Sequence, residues 1–495
     1  MRLPPAHCGL FLFAAVLAYS YGGAQVFGDP DTAWHIATGD LIRQLGSIPM
    51  EDTWSFAANG EIWYNLSWLF DIGFSALFAA GGFTALYILT LLAFAGSYVF
   101  MANECLKRGA SFLAVSISML IAILVSFNSI LARPNLSSII LSVALYHMLS
   151  RYRDTHRTGY LVALPLLMAL WVNLHGGYLL AFPVIGVFFV EAWLQKNYSL
   201  ARTYCITGLA CVAATLLNPY GYAVYYGAYK TLSLGFDQVH IVEWQSVNIG
   251  KDLPLTLMLL LVLFTGNVRD KAIPFSDKLV AIALLFMALN SQRHGAVAGA
   301  LAMPYISLRL THFWNEGRFG AWLAPREALI MQDMYKNDVK WMGAIMAVIA
   351  VALAASPFPR DMFLKDPPGF PKKSFPIKEA EFIAKKYPKT RFMTDYNIGG
   401  YLVYIWRGDV KVFVDGRASS LYSKETLQDY ADFAMISKGY GGRAKMIADY
   451  YGFEGVVIPN EDPGSAEWHW NPDWKLVYNG DVAAVYLRNT KKVNR

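Results

Sequence analysis

Long apolar runs recur along most of this chain, and they limit its possible folds more than any other feature. Each is close to the roughly 20 residues that a helix needs to cross a bilayer. They lie at residues 8–27, 83–102, 111–128, 136–150, 160–174, 177–194, 203–218, 254–266, 278–290, 295–311 and 341–357. Only 16% of the residues are charged, against about 25% in soluble domains. The pattern predicts an α-helical polytopic membrane protein with about eleven spans.

Residues 66–80 form a further apolar run, but it is short and contains Asp71. We interpret it as an interfacial or re-entrant segment that does not cross. With that interpretation most basic loop residues fall on one side, which the positive-inside rule makes cytoplasmic. The polar motifs beside the runs then fall on the opposite, outer side, which in a bacterial inner membrane would be the periplasmic side.

The C-terminal part, residues 358–495, has a soluble composition. Alternating apolar stretches predict strands at 410–414, 455–458 and 476–487, the last with a hairpin turn at Asn479-Gly480. Residues 425–436 and 442–451 predict helices. The sequence therefore divides into a transmembrane domain at 1–357, with a first periplasmic loop at 28–65 that carries surface helices, and a periplasmic α+β domain at 358–495.

The most informative polar motif, Gly28-Asp29-Pro30-Asp31-Thr32-Ala33-Trp34-His35, follows the first apolar run. Asp29 followed by Pro30 is a signal for the start of a helix. In that helix Asp31 and His35 are four residues apart and share a face, which Gly39 leaves open. Carboxylates and an imidazole at the membrane edge are typical of a catalytic loop. The alternative is that Asp29 only caps the helix and Asp31 only interacts with its dipole.

Trp34, Ala37, Leu41 and Leu45 form an apolar stripe beside that face. The stripe predicts that this helix lies along the membrane surface.

A second group of polar residues lies at the ends of later runs, on the same predicted side. Arg133 and Arg293 have planar guanidinium groups that can donate two hydrogen bonds to one phosphate, although snorkelling to lipid headgroups is the alternative. His175, in a Gly-rich turn, is a candidate ligand of a metal or phosphate, or simply a turn residue. Glu243 is a candidate partner for a metal or an acceptor amine, or an interfacial loop residue. His294 adjoins Arg293.

Other classes of site have no visible signature. The sequence has no P-loop, no G-x-G-x-x-G after a strand, no H-E-x-x-H and no G-x-S-x-G. The four cysteines lie in or beside apolar runs, so a disulfide framework is not indicated. A net charge of +6 spread through short loops does not indicate a nucleic-acid partner. Asp415-Gly416-Arg417 is interpreted as a structural turn, with contact to a glycan or acceptor as the alternative.

The chain resembles the GT-C superfamily of membrane glycosyltransferases, which includes oligosaccharyltransferase catalytic subunits, protein O-mannosyltransferases and aminoarabinose transferases. The resemblance rests on the Asp-x-Asp after the first span, the long first loop and the outer C-terminal domain. A set of bacterial polytopic membrane proteins is more closely similar, through Asp29-Pro30-Asp31-Thr32-Ala33-Trp34-His35-Ile36-Ala37-Thr38-Gly39, Trp68-Leu69-Phe70, Asn173-Leu174-His175-Gly176-Gly177, Gly399-Gly400-Tyr401-Leu402 and Val414-Asp415-Gly416-Arg417. Where that set has His-Glu before the tryptophan, this chain has Leu66-Ser67, so it either lacks that acidic residue or uses Asp71 in its place.

The resemblance implies transfer of a sugar from a polyprenyl-phosphate carrier to an acceptor at the periplasmic face, with the membrane lipids around the spans. It implies a catalytic group of Asp29, Asp31 and His35. It also implies a phosphate-binding group, made of Arg133, His175, Glu243, Arg293 and His294. A divalent metal (Mg²⁺ or Mn²⁺) is an optional cofactor, with Asp31 and His35 as its candidate ligands.

Two other functions stay open on the sequence. One is a transporter or flippase of a lipid-linked substrate, which would need ionisable groups lining a cavity through the inner half of the spans. The other is a non-catalytic envelope assembly protein, whose outer domain would bind a partner.

Overall fold

The computed structural model describes residues 26–233, 241–265, 270–315, 318–337, 340, 370–434, 441–461, 468 and 470–489. The predicted first span lies outside these residues except for Val26 and Phe27. The predicted last span and the predicted domain boundary at 357 also lie outside them. The described part is mostly helical with one small sheet, as the sequence predicts.

The chain forms two compact units, each assembled from separate stretches. Met1–Val26, Phe83–Gly221 and Val242–Pro368 make up the first, here called the helical unit. Phe27–Gly82, Tyr222–Ile241 and Gly369–Arg495 make up the second, here called the mixed unit. The first loop therefore belongs to the same unit as the C-terminal tail, which the sequence division did not anticipate.

The described α-helices are numbered in chain order. They are α1 (Pro30–Leu45), α2 (Trp68–Lys107), α3 (Phe112–Val125), α4 (Asn135–Thr155), α5 (Gly159–Leu174), α6 (Ala181–Leu194), α7 (Tyr198–Ala214), α8 (Ala223–Ser233), α9 (Leu253–Thr265), α10 (Phe275–Asn290), α11 (Gly295–Asn315), α12 (Arg318–Lys336), α13 (Ile377–Lys386), α14 (Tyr396–Trp406), α15 (Ala418–Leu421), α16 (Lys424–Ala434) and α17 (Gly441–Tyr451). Short 3₁₀ helices lie at Phe127–Ser129, Gly176–Leu180, Val242–Trp244 and Gln292–His294.

Each apolar run predicted between residues 83 and 311 forms a helix. By length and composition, α2 and the continuous segment Gly176–Leu194 are long and apolar enough to cross a membrane. Helices α3, α5 and α9 are apolar but shorter. Helices α8 and α12 lie in stretches that the sequence analysis left as loops, because polar residues interrupt their apolar periodicity.

Helix α2 is broken in its middle. Gly81 and Gly82 leave helical geometry, and Gly82 has φ 59°, a left-handed conformation that favours glycine. The break separates residues 68–80 from the predicted span at 83–102, and it coincides with the change from the mixed to the helical unit. Residues 66–80 are therefore a structural segment distinct from that span.

Helix α11 is the central helix of the helical unit, since every residue from Gly295 to Thr311 is buried. A Cβ on Gly299 would lie 2.8 Å from the Ala122 carbonyl oxygen of α3. Small residues at such crossings let two helix backbones approach closely, which is how helices gain packing contacts in lipid.

The mixed unit contains a four-stranded sheet with the order β1-β2-β4-β3. The strands are β1 (Phe392–Thr394), β2 (Gly455–Pro459), β3 (Trp474–Asn479) and β4 (Ala483–Arg488). β1 pairs with β2 in parallel, and the other pairs are antiparallel. The predicted hairpin at Asn479-Gly480 is confirmed: Gly480 N donates to the Ala483 carbonyl, and Glu379 accepts from Ala483 N.

The predicted strand at 410–414 is wrong. Val412 N donates to the Trp54 carbonyl, and Phe56 N donates to the Val412 carbonyl, so this segment pairs with the first loop through one isolated bridge instead of joining the sheet. Periodicity indicated a buried extended segment correctly but could not show which backbone it pairs with.

Helix α1 packs against α14 inside the mixed unit. Its residues from Thr32 to Gly39 are all buried, including Trp34 and Ala37 of the predicted apolar stripe. Leu45, at the end of the stripe, is exposed. The stripe thus contacts the core of the unit along most of its length, and placement on a membrane surface stays a prediction.

Candidate functional site

The start of α1 is built by its own first residues. Asp29 has an extended backbone, and its Oδ1 accepts a hydrogen bond from Asp31 N at 2.8 Å, while Pro30 occupies the first helical position. Asp29 therefore caps the helix, which is the alternative role that the sequence analysis gave it. The Oδ1 atom of Asp31 accepts from Trp34 Nε1 at 2.9 Å, which fixes that carboxylate on the first turn.

Gly416 lies directly against this turn, within the mixed unit. A Cβ on Gly416 would lie 2.0 Å from Asp31 Oδ1, so only glycine fits there.

His35 is held by the carboxylate of Asp71, which lies within the apolar run at residues 66–80. Its Nδ1 lies 2.6 Å from Asp71 Oδ1, and Asp71 Oδ2 accepts from Asn65 Nδ2 at 2.8 Å. His35 is 5% exposed and Asp71 is completely buried. An ionised Asp71 can only accept, so Nδ1–H donates and Nε2 carries the free lone pair. Within the described part of the chain Nε2 makes no hydrogen bond, which leaves it able to take a proton.

Gly39 was expected to leave a face of α1 open, but that position is occupied. A Cβ there would lie 1.9 Å from the Asp71 carbonyl oxygen. The missing side chain lets the α2 backbone approach α1, and this approach brings Asp71 to His35.

Asp415-Gly416-Arg417 forms a buried ionic network. Arg417 donates to Asp415 Oδ2 at 2.7 Å and to Asp52 Oδ1 at 2.6 Å, and Tyr422 Oη donates to Asp415 at 2.8 Å. Burial raises the pKa of the Asp415 carboxyl, but the Arg417 charge outweighs burial and holds this pKa below its usual value. The Arg417 side chain is 1% exposed, which supports the structural interpretation over contact with a glycan.

In the helical unit, Arg133, Glu243 and Arg293 lie together. Arg133 Nη2 donates to Glu243 Oε2, and the Arg293 guanidinium carbon lies 4.0 Å from the centroid of the Trp244 ring. Burial raises the pKa of the Glu243 carboxyl, but the charges of Arg133 and Arg293 outweigh burial and lower it. Two guanidinium groups and one carboxylate leave a net positive charge, which favours an anion.

His175 and His294 flank this group. Ser138 Oγ lies 2.6 Å from His175 Nδ1, and Gly177 N donates to the same nitrogen at 3.2 Å, so the His175 proton is on Nε2. Burial, reinforced by the Arg293 charge, lowers the pKa of His294 to about 4. Its buried Nδ1 has no hydrogen-bond partner among the described residues. At neutral pH His294 is therefore uncharged.

The structure thus brings the predicted residues together as two groups, each inside one unit. The acidic group, Asp29, Asp31 and His35, belongs to the mixed unit, and Asp71 and Asn65 join it. The cationic group, Arg133, His175, Glu243, Arg293 and His294, belongs to the helical unit. The sequence did not reveal that Asp71 contacts His35. A carboxylate in an apolar run was nevertheless a signal that Asp71 has a function.

The candidate ligands Asp31 and His35 do not form a metal site with the other described residues. Among the residues described, no three His, Cys, Asp or Glu side chains are grouped so that they could hold a metal ion. The Nδ1 atom of His35 is taken by Asp71, and Asp31 Oδ1 by Trp34. Mg²⁺ and Mn²⁺ prefer several oxygen ligands, so Asp31 and His35 do not fit such an ion by themselves, and the steps proposed below use none.

The sequence matches no protein-family model and no curated protein sequence. The structure is similar to that of the oligosaccharyltransferase of Archaeoglobus fulgidus in its apo form, with a TM-score of 0.54 and 10% identity, over 98% of this chain and 75% of that one. The same enzyme, AglB, in complex with an inhibitory peptide and a dolichol-phosphate, aligns with a TM-score of 0.54 and 10% identity over 91% of this chain and 69% of that one.

ArnT from Cupriavidus metallidurans, bound to undecaprenyl phosphate, aligns with a TM-score of 0.53 and 12% identity over 97% of this chain and 98% of that one. These likenesses confirm the predicted resemblance at the level of the fold: the chain has the fold of GT-C membrane glycosyltransferases.

Proposed function

We propose that this protein is a membrane glycosyltransferase that transfers a sugar from a polyprenyl-phosphate-linked donor to an acceptor. The observation that carries the proposal is the cationic group, in which Arg133 and Arg293 surround one carboxylate with excess positive charge. It agrees with the neighbours of the same fold that bind dolichol-phosphate and undecaprenyl phosphate.

In this proposal the cationic group binds the phosphate of the donor. When the bond between the sugar C1 and the phosphate oxygen breaks, that oxygen keeps the electron pair and gains negative charge. Arg133 and Arg293 stabilise the charge because guanidinium groups donate paired hydrogen bonds to phosphate oxygens. Glu243 orients Arg133, and the Trp244 ring holds the Arg293 guanidinium flat.

The acidic group activates the acceptor. The Asp31 carboxylate orients the acceptor, whose oxygen or nitrogen forms the new bond to C1 and loses its proton to His35 Nε2 or to Asp31. Asp71 fixes the tautomer and orientation of His35, as a buried carboxylate does behind a catalytic histidine. Asp29 contributes chiefly through the helix cap that sets the position of Asp31.

The proposed membrane setting agrees with this fold. We propose about eleven spans, a transmembrane domain at 1–357 with the first loop at 28–65 outside the cytoplasm, and a periplasmic domain at 358–495. The bacterial inner membrane would supply both the lipid-linked donor and the lipids around the spans.

Mass spectrometry of envelope glycans tests this function. A strain that lacks the gene should lose one sugar modification, and the wild-type gene on a plasmid should restore it. Arg293→Lys should restore it poorly, because lysine cannot form a paired contact with phosphate. As a control, Arg443→Lys, an exposed residue of the mixed unit, should restore it fully. An unchanged glycan profile in the deletion strain would contradict the proposal and favour a non-catalytic assembly protein.

A further inference from the structure

The helical unit has a second polar end, which the proposed transferase does not use. Helix α4 begins just after Arg133, and Arg153 in its last turn lies about 30 Å further along the helix axis. Asp277 and Lys278 lie in the first turn of α10, whereas Arg293 follows the last turn of that helix. Both helices therefore carry charged groups at the end remote from the cationic group.

An open cavity of about 470 Å³ lies at this remote end, and its lining includes Arg153, Gln195, Lys271 and Lys278. Two carboxylates, Glu191 and Asp270, line it as well. The sequence did not reveal this cavity, because its lining comes from separate helices and loops.

The carboxylates of the cavity are already engaged. Glu191 Oε1 accepts the backbone N–H groups of Phe275 and Ser276, at 2.7 and 3.1 Å. Asp270 Oδ2 accepts from Arg309 at 3.2 Å and lies 2.8 Å from His312 Nδ1.

Asp277, which is completely buried next to this cavity, is shared by two arginines. Arg108 donates to its Oδ2 at 2.9 Å, and Arg153 donates to its Oδ1 at 3.0 Å. Two guanidinium groups therefore converge on this one carboxylate, and Arg153 also pairs with Asp154.

Two of the cations that line the cavity, Arg153 and Lys271, have donors that no described residue engages. Arg153 uses Nε and Nη1 for Asp154, Ser276 and Asp277, whereas its Nη2 makes no hydrogen bond within the described part of the chain. Lys271 is exposed and forms no ion pair with any residue that the structure describes. Lys278 donates to the Asp270 carbonyl and adds a positive charge to the lining. An anion with several oxygens matches these donors.

The surface next to the cavity indicates where such an anion comes from. Gln195 follows Trp193 and Leu194, whose side chains are 54% and 61% exposed. The Trp193 ring packs edge-on against Tyr198, with ring centroids 5.3 Å apart. Exposed aromatic side chains at the end of an apolar helix are typical of the headgroup level of a bilayer. Apolar surface that acyl chains would cover therefore borders the polar cavity.

We propose that this cavity binds the phosphate of an anionic phospholipid in the leaflet at the remote end, with Arg153 and Lys271 as donors and the charge of Lys278 beside them. Basic pockets between membrane helices bind such headgroups in this way. The inference is independent of sugar transfer, because it uses none of the residues proposed for that reaction.

Native mass spectrometry of the full-length protein, released from nanodiscs, tests the inference. Nanodiscs of phosphatidylglycerol and phosphatidylcholine in equal amounts should yield protein that retains mainly phosphatidylglycerol. Lys271→Gln should lower that retention about fivefold, the effect of one lost cation near an anionic headgroup. Lys445→Gln, an exposed lysine of the mixed unit, is the matched control and should retain the wild-type amount.

A second arm separates a lipid from free phosphate. Millimolar inorganic phosphate should not displace the bound phosphatidylglycerol. The Lys271→Gln/Lys278→Gln double variant should lower retention further, and circular dichroism would report whether it is folded. Equal retention of the two lipids, an unchanged Lys271→Gln variant, or complete displacement by phosphate would each overturn the proposal.

Discussion

At the residue scale, the contact that matters most is the one between His35 and Asp71. The sequence placed Asp31 and His35 on one helix and marked Asp71 as a candidate acid, since Leu66-Ser67 replaces the expected His-Glu. It could not show that Asp71 reaches His35, because the two are 36 residues apart and no local periodicity links them. The same limit applies to Arg133 and Glu243, which are 110 residues apart.

Asp71→Asn should reduce sugar transfer by roughly 100-fold, because an amide in place of the carboxylate no longer fixes the His35 tautomer and misplaces Nε2. The measurement is restoration of the envelope glycan in the deletion strain. The control is Asp40→Asn, which changes a partly buried carboxylate on α1, the helix that carries His35, and it should stay near wild type. Full restoration by Asp71→Asn, with the protein at normal abundance, would count against a positioning role.

Arg417→Met should destabilise the protein by about 3–5 kcal/mol, because it leaves Asp52 and Asp415 as buried carboxylates without a cation. Thermal unfolding of the purified full-length protein measures the loss. Arg443→Met removes only partly exposed ion pairs with Asp429 and Asp432 and should cost at most about 1 kcal/mol. Equal melting temperatures for the two variants would refute the structural interpretation of Asp415-Gly416-Arg417.

The same network predicts a dependence of stability on pH. Folding lowers the pKa of Asp415, so its carboxylate stabilises the folded state above its unfolded pKa of about 3.9. That contribution is lost as the pH falls through the lower folded value. The wild-type melting temperature should therefore drop steeply below about pH 4, and Arg417→Met should show a shallower drop. Parallel curves for the two proteins would contradict this assignment.

At the scale of elements, the helices were easier to predict than the segments with which each element packs or pairs. The runs between residues 83 and 311 could be predicted as helices because a long apolar run favours a helix, which satisfies its own backbone hydrogen bonds. The strand predicted at 410–414 failed because an extended apolar segment pairs equally well with a loop or a sheet. Helix α12 was missed because its charged residues mask its apolar face.

The crossing of α1 and α14 offers a test at this scale. A Cβ on Gly400 would lie 2.6 Å from the Pro30 carbonyl and 2.9 Å from Trp34 Cδ1. Gly400→Ala should therefore cost about 1–3 kcal/mol through overpacking, and it should disturb the first turn that carries Asp31. Gly73→Ala, at an exposed helical glycine with nothing within 4 Å, should be neutral or slightly stabilising. Thermal unfolding compares the two, and a Gly400→Ala protein as stable as Gly73→Ala would refute the packing.

At the scale of the whole molecule, the division into units differs from the division along the sequence. The mixed unit takes the first loop, residues 222–241 and the C-terminal tail, which lie hundreds of residues apart in the chain. Composition could show that the tail is soluble in character, but it could not show that the first loop folds with the tail. Contacts such as Ser55 with Val412 and Asp52 with Arg417 establish this, and they depend on tertiary structure alone.

The central claim is that the polar start of α1 carries out acceptor activation in a glycosyltransferase. The most direct test is to express Asp29→Asn/Asp31→Asn in the deletion strain and to measure the envelope glycan by mass spectrometry. Asparagine still caps a helix and can still accept from Trp34 Nε1, so the variant removes charge while it keeps the fold. Glu51→Gln, at an exposed carboxylate of the same loop, is the control. We predict that the double variant fails to restore the glycan whereas Glu51→Gln restores it; full restoration by the double variant, folded and at normal abundance, would contradict the account.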